Sequence, residues 1–274
     1  MNKKLRSYET DPVEIADGIY WVGYSNDFSK LHCNPYLIVE ADEAVLIDGG
    51  NRDDFSHVML KILRTGIKPD QISRLIYQHY DPDLCGSLPQ MEAIINRSDL
   101  KIISHSENNV FIHYYSAKTE QLDFRDLGHH FEFKTGRRLE FYATPFCHQA
   151  GSFVTLDPQT GTLFSSDLFG SFDDQWSLFL ELSETCRRCS DIQICPNHLP
   201  VCPMKGLMQF HQRVMTSNAA AAWTMKKIQS LDFNRIAPQH GSIINSKEDI
   251  RAVIHHLQSV QAVGIDYYLD EVSR

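Results

Sequence analysis

Four times along this chain a short apolar run with strand character ends at a residue type that binds metal ions. Arg74 to Gln78 (RLIYQ) leads into His79-Tyr80-Asp81-Pro82-Asp83, Phe141 to Phe146 ends at Cys147-His148, Thr162 to Ser166 ends at Asp167, and Arg235 to Pro238 ends at Gln239-His240-Gly241. A lone His or Asp in such a place is usually a surface loop or a cap. Four repetitions of the same context make coincidence a weak account. In the first of them the ligand types stand at alternate positions. Extended backbone sends alternate side chains to one side, and Pro82 stiffens the turn, so His79, Asp81 and Asp83 are placed to serve one cation or two neighbouring ones.

The rest of the pattern reads as two similar halves. Residues 14–22 (EIADGIYWV) read as a strand and residues 36–48 as a hairpin turning at Ala41 to Glu43 and ending at Asp48-Gly49-Gly50. A helix capped by Asp53 or Asp54 follows, with Val58, Leu60, Ile62 and Leu63 on its apolar side and a stop at Gly66. Ser87 caps a further helix that tolerates Pro89 in its first turn. A strand at 101–104, a helix near 108–115 and a β-rich stretch over 131–143 close the first half. The second opens with a hairpin around Asp157-Pro158-Gln159-Thr160-Gly161, a strong turn signal. A long helix from about 206 to 230, a strand at 235–237 and a helix over 247–257 complete it. Sheet followed by helix, twice, predicts an α/β fold in which two mixed sheets pack face to face with helices outside. At roughly 150 residues per domain the length allows one domain or two, and residues 1–274 are read as a single domain interrupted by a Cys-rich inserted loop at 184–205.

Composition narrows the function classes. Thirty-five acidic residues against 26 Lys and Arg give a net charge of −9, which is no nucleic-acid footprint. A 42% hydrophobic and 11% aromatic content supplies a sizeable core. No stretch approaches the ~18 consecutive apolar residues of a membrane span, and the polar N-terminus MNKKLRSYET carries no apolar run behind it, so a cytoplasmic location is expected. Seven Cys and 13 His direct attention to metal ligands.

The residues His79-x-Asp81-x-Asp83, His148, Asp167 within Phe164-Ser165-Ser166-Asp167-Leu168-Phe169-Gly170-Ser171, and His240 within Ala237-Pro238-Gln239-His240-Gly241 resemble the metallo-β-lactamase superfamily. Within it they look most like the flavodiiron proteins and the related oxygen-binding di-iron proteins, a likeness that runs from Ile19-Tyr20-Trp21-Val22 to the C-terminal helix. The resemblance implies an αββα sandwich. It also implies one metal held by His79, Asp81 and His148, a second held by Asp83 and His240, and Asp167 bridging both. Two departures matter. The family usually has His directly after the Asp at position 83, where this chain has Leu84, and flavodiiron proteins often carry Glu in place of Asp81. The second metal therefore keeps fewer protein ligands and an open position, as a reactive metal requires.

Hydrolytic members of the superfamily typically have His where Asp81 stands. Three carboxylates with three imidazoles are a harder, more anionic set that favours two iron ions, with zinc or manganese as the alternatives. Flavodiiron proteins reduce O₂ or NO with electrons from a flavodoxin-like FMN domain fused after the sandwich. This chain ends at Arg274 with no later phosphate loop, so no FMN is expected. The leading expectation is a soluble di-iron protein that binds or senses O₂ or NO and reports to a redox or signalling partner, in a homodimer as family members commonly form. The alternatives are an O₂ or NO reductase fed by a separate donor and a di-zinc hydrolase acting through metal-bound hydroxide.

The insert carries a C-x2-C-x5-C-x6-C array, Cys186, Cys189, Cys195 and Cys202, with His198 inside it. Its thiolates suit one tetrahedral zinc ion or an iron–sulfur cluster. Reduced structural thiols and a redox disulfide are the other readings. Cys33, Cys85 and Cys147 read as buried packing. Tyr80, between two ligands, points away by alternation, and His105, His113, His129, His130, His211, His255 and His256 are assigned no role.

Overall fold

The computed structural model describes residues 10–24, 31–116, 118–172, 176–189 and 202–272. The chain divides into two compact units, residues 1–142 and 143–274, and holds two mixed seven-stranded sheets flanked by helices.

In the first unit, strands β1 (Val13–Ala16), β2 (Ile19–Trp21), β3 (Tyr36–Glu40), β4 (Glu43–Ile47), β5 (Ile72–Ile76), β6 (Lys101–Ser104) and β7 (Glu120–Asp123) lie side by side in chain order. Pairing is antiparallel from β1 to β4 and parallel from β4 to β7. The stretch expected as a single strand over 14–22 is a hairpin. Its turn needs Gly18, where φ is +66° and a Cβ would stand 2.5 Å from the Val39 carbonyl oxygen. Strand β7 was not foreseen, because Glu120-Gln121-Leu122-Asp123 offers too little apolar alternation to signal one.

The parallel pairs need crossovers, which helices α1 (Phe55–Arg64), α2 (Pro82–Cys85), α3 (Leu88–Ile95) and α4 (Ser106–Ile112) supply. At the start of α1 the Asp54 side chain does not cap. Asn51 Oδ1 instead accepts the Asp54 N–H at 2.9 Å. Leu37, Leu46, Val58, Leu75, Leu84 and Met91 belong to one buried cluster between sheet and helices. Strands β8 (His130–Glu132) and β9 (Arg138–Ala143) form an antiparallel hairpin.

In the second unit β10 (Phe153–Asp157) and β11 (Thr162–Ser166) form the expected hairpin. Strand β13 (Arg235–Pro238) pairs parallel to β11, and β14 (Ile243–Ile244) pairs with β13 and with β12 (Phe179–Leu180). Helix α5 (Glu184–Arg187) lies in the Cys-rich stretch. The single long helix expected over 206–230 is two, α6 (Pro203–Val214) and α7 (Asn218–Ile228). Met215 takes an extended ψ of 151°, and Ser217 opens α7 by accepting the Ala220 N–H on its Oγ. The break carries no Gly or Pro, so the apolar periodicity runs through it undisturbed. Helices α8 (Lys247–Ser259) and α9 (Ile265–Val272) end the chain. Among the described residues no helix is long and apolar enough to cross a membrane.

Candidate metal centre

Three of the six expected donors lie in each unit. In the first, the ends of β4 and β5 are tied together before the donors begin. Asp48 N–H donates to the Ile76 carbonyl at 2.8 Å, and its carboxylate accepts the Gln78 N–H at 2.9 Å. Asn108 Nδ2 donates to the Gln78 carbonyl at 3.4 Å and to Ser104 Oγ at 3.1 Å. The N–H and the carbonyl of Gln78, the residue before His79, are thus both held. Gly49 permits this crowding, since a Cβ there would meet the Tyr77 hydroxyl at 2.8 Å.

From that anchor His79 Nε2 lies 3.7 Å from Asp81 Oδ2. Asp81 is extended, with φ −68° and ψ 155°, but the alternation stops there. Pro82 takes the first position of α2, where its missing N–H costs nothing, and Asp83 is carried round into that helix's first turn. Leu84, next in line, is buried in the core cluster. Tyr80 stacks on Phe111, ring centroids 4.3 Å apart, in keeping with a side chain turned from the donors. Cys33, read as packing from sequence, places Sγ within 4.8 Å of an Asp83 carboxylate oxygen. No local pattern links two residues 50 positions apart, so only the fold reveals the pair.

In the second unit the donors close around Asp167. His148 sits in a tight turn in which Thr144 N–H donates to Ser152 O at 2.8 Å and Gln149 N–H to Ser152 Oγ at 2.9 Å. The Gln239 N–H donates to Ser166 O at 2.7 Å, which locks the ends of β11 and β13 side by side and sets His240 beside Asp167. His148 Nε2 is 2.9 Å from one Asp167 oxygen, Oδ2, and His240 Nε2 is 3.6 Å from the other, Oδ1. A carboxylate with an imidazole at each oxygen has the form of a bridge between two cations.

Helix α6 supports this cluster from behind. Phe210 packs on the His240 ring at 5.6 Å. His211 Nε2 accepts the Phe169 N–H at 3.0 Å, two residues after Asp167, which leaves its Nδ1–H to donate to the Leu207 carbonyl at 2.8 Å. Burial lowers the His211 pKa to about 4, so the ring stays neutral and keeps this tautomer. Sequence reading gave His211 no role; its place is visible only once α6 is laid against the Asp167 loop. Burial raises the Cys147 thiol to about 11, with a contact to Thr224 Oγ1 opposing it weakly, so it is the inert packing group expected.

The donor chemistry fits a pair of hard or borderline cations: imidazole nitrogens beside carboxylates, on the turns that follow strand ends. The cysteine array is not gathered in the same way. Cys186, Cys189 and Cys202 are unbridged, and they are in neither of the groups of described residues whose donor atoms lie within 4.8 Å of one another. Cys195 and His198 lie outside the described residues.

The chain is similar to several known proteins. It is 25% identical over 252 residues to a type A flavoprotein from Rhodobacter capsulatus, covering 86% of this chain and 53% of that one. It is 27% identical over 199 residues to an anaerobic nitric oxide reductase flavorubredoxin from an Enterobacter species, covering 64% and 39%. The chain spans about half or less of the length of these curated relatives. A solved structure described as a peroxy diiron species of the chemotaxis sensor ODP superposes with a TM-score of 0.74 at 25% identity, covering 95% of this chain and 99% of that one. A flavo di-iron protein variant from Thermotoga maritima superposes with a TM-score of 0.75 at 22% identity over 90% of this chain and 60% of that one, a likeness of fold. The fold class is thus the αββα metallo-β-lactamase-like sandwich that the two sheet-and-helix halves predict. A family model described as ODP family beta lactamase matches residues 31–241, and with most of its length inside that match the chain belongs to the ODP family.

Proposed function

We propose that His79, Asp81, Asp83, His148, Asp167 and His240 together hold two iron ions, and that the protein binds O₂ or NO there as a sensor reporting to a partner. The observation that carries this reading is the Asp167 carboxylate with His148 at one oxygen and His240 at the other. The ODP structure and the nitric oxide reductase among its relatives support the ligand class. Ferrous iron, if held by these residues, would supply electron density to a diatomic ligand.

The chain's own residues do the positioning. Asp48 and Asn108 hold the His79 strand end, His211 holds the Asp167 loop, and Asp81 and Asp83 add the negative charge that favours higher oxidation states of iron. One family model running across residues 31–241 supports a single functional domain. A cytoplasmic homodimer with a redox or signalling partner is part of the same proposal, as is a metal ion or iron–sulfur cluster on Cys186, Cys189, Cys195 and Cys202, for which the C-x2-C-x5-C-x6-C spacing is the support.

The test is metal analysis of protein purified without air, with absorption spectra before and after O₂ or NO. Two irons per chain and a gas-dependent spectral change are expected. Iron-loaded protein that shows no change with either gas overturns the reading. Steady-state gas consumption with a supplied reductant would turn it into a reductase, and substantial ester hydrolysis by zinc-loaded protein into a hydrolase. Iron beyond two per chain, accompanied by sulfide, would mark the cysteine array.

A further inference from the structure

In the proposed donor set the second ion is short of ligands, because Leu84 occupies the position where the resembled family places an imidazole. Leu84 is fully buried in the apolar core, so its position offers nothing to a metal. A different donor stands at the same carboxylate. Cys33 Sγ lies within 4.8 Å of an Asp83 oxygen, both within the first unit. Two donors on one ion can be separated by at most the sum of their bonds, about 4.5 Å for a metal–sulfur bond near 2.3 Å and a metal–oxygen bond near 2.2 Å. The observed spacing is on that scale, within a few tenths of an ångström of side-chain movement.

The backbone holds Cys33 in place. It pairs with Tyr24 in an antiparallel bridge, and Gly23 lets the strands close, since a Cβ there would stand 2.5 Å from the Cys33 carbonyl oxygen. Asn51 Nδ2 approaches Sγ at 3.7 Å, and the same amide is fixed by donating to Asp54 Oδ2 at 2.6 Å. Beside the pair a cleft lined by Tyr24, His32, Asn51, Asp83 and Tyr115 opens to solvent, which gives an ion an entry path.

We infer that Cys33 is a ligand of the second metal ion, as a thiolate, and that it replaces the donor lost at Leu84. The inference rests on the di-metal reading above. Binding releases the thiol proton to solvent and leaves the electron pair on sulfur as the metal bond, so no oxidant or reductant is consumed. The second ion then has Cys33, Asp83, Asp167 and His240, a softer and more negative shell than imidazole would make.

The experiment is titration of the metal-free full chain with cobalt(II) in the absence of air, following metal count and absorption. Wild type is expected to take two ions at the His and carboxylate donors and to show a thiolate-to-cobalt charge-transfer band. A Cys186→Ser, Cys189→Ser double variant, which removes thiolates of the cysteine array, should keep both ions and the band, and adding Cys33→Ser to it should abolish the band and weaken the second ion at least about tenfold. X-ray absorption of that double variant gives a check that leaves Cys33 intact, with a sulfur neighbour expected at about 2.3 Å. In that double variant, two ions with no sulfur neighbour, or a band that survives the added Cys33→Ser, overturns the assignment of Cys33 and leaves the di-metal site standing. Failure of wild type to bind any pair of ions overturns the di-metal reading and this inference with it.

Discussion

His211 accepts the backbone N–H of Phe169 at 3.0 Å, a bond that joins α6 to the loop that presents Asp167. Replacing the ring by an apolar group of similar size removes the acceptor while leaving a buried N–H behind. His211→Leu should therefore lower unfolding stability by about 2 kcal/mol, measured by denaturant titration, and loosen iron binding. His211→Gln, which can still accept, should recover part of both. A variant as stable as wild type would contradict the assigned role. The same group sets an acid limit. Its folded pKa is depressed to about 4 by burial, below the ~6.5 of an unfolded imidazole. The unfolded chain then takes up the proton first, so the contribution is fully present above about 6.5 and is lost as pH falls through about 4, on the order of 3 kcal/mol in all.

Asp167 is the next residue to test. Asp167→Asn preserves its shape but removes the negative charge and one of the two acceptor oxygens. We expect iron per chain to fall from two to one or none by elemental analysis, with the far-ultraviolet circular dichroism unchanged. Retention of two ions would show that the carboxylate does not bridge.

Lys61 is fully buried, donates to the Gly23 carbonyl and lies 3.9 Å above the Trp21 ring. Burial lowers its pKa to about 7, with Asp11 opposing the shift weakly. Between that value and the ~10.4 of an exposed Lys the unfolded chain binds the extra proton. Stability therefore rises with pH across this window, on the order of 4 kcal/mol, and the gain is gone once pH falls below about 7. Lys61→Met should flatten the rise, as followed by urea midpoints at pH 7, 8 and 9. An unaltered slope would place the effect elsewhere.

Metal loading should show in thermal unfolding. A cation that binds only the folded chain and is present at about 100 times its dissociation constant adds about 2.7 kcal/mol. For a chain of this size that raises the midpoint by roughly 5–10 °C. Chelation should reverse the rise, and His79→Ala should shrink it. Equal midpoints with and without metal would count against a built site.

The strand ends that lead into the six proposed donors were legible because each joins a buried apolar run to a polar residue of the right type, a signal local to a few positions. The two halves were legible for the same reason, as runs of sheet followed by helix. What escaped depends on neighbours distant in sequence. The turn of Asp83 into α2 follows from Pro82 at a helix start, which alternation alone cannot anticipate. The break between α6 and α7 carries no Gly or Pro. Cys33 and His211 acquire meaning only from Asp83 and Phe169, far along the chain from them.

The division of the proposed donors, His79, Asp81 and Asp83 ahead of Tyr142 and His148, Asp167 and His240 behind it, has a genetic consequence. Neither segment carries the full proposed ligand set of either ion, so lesions on the two sides can empty the same ion. Two defective alleles, one damaged on each side of that boundary, would be indistinguishable by their iron content.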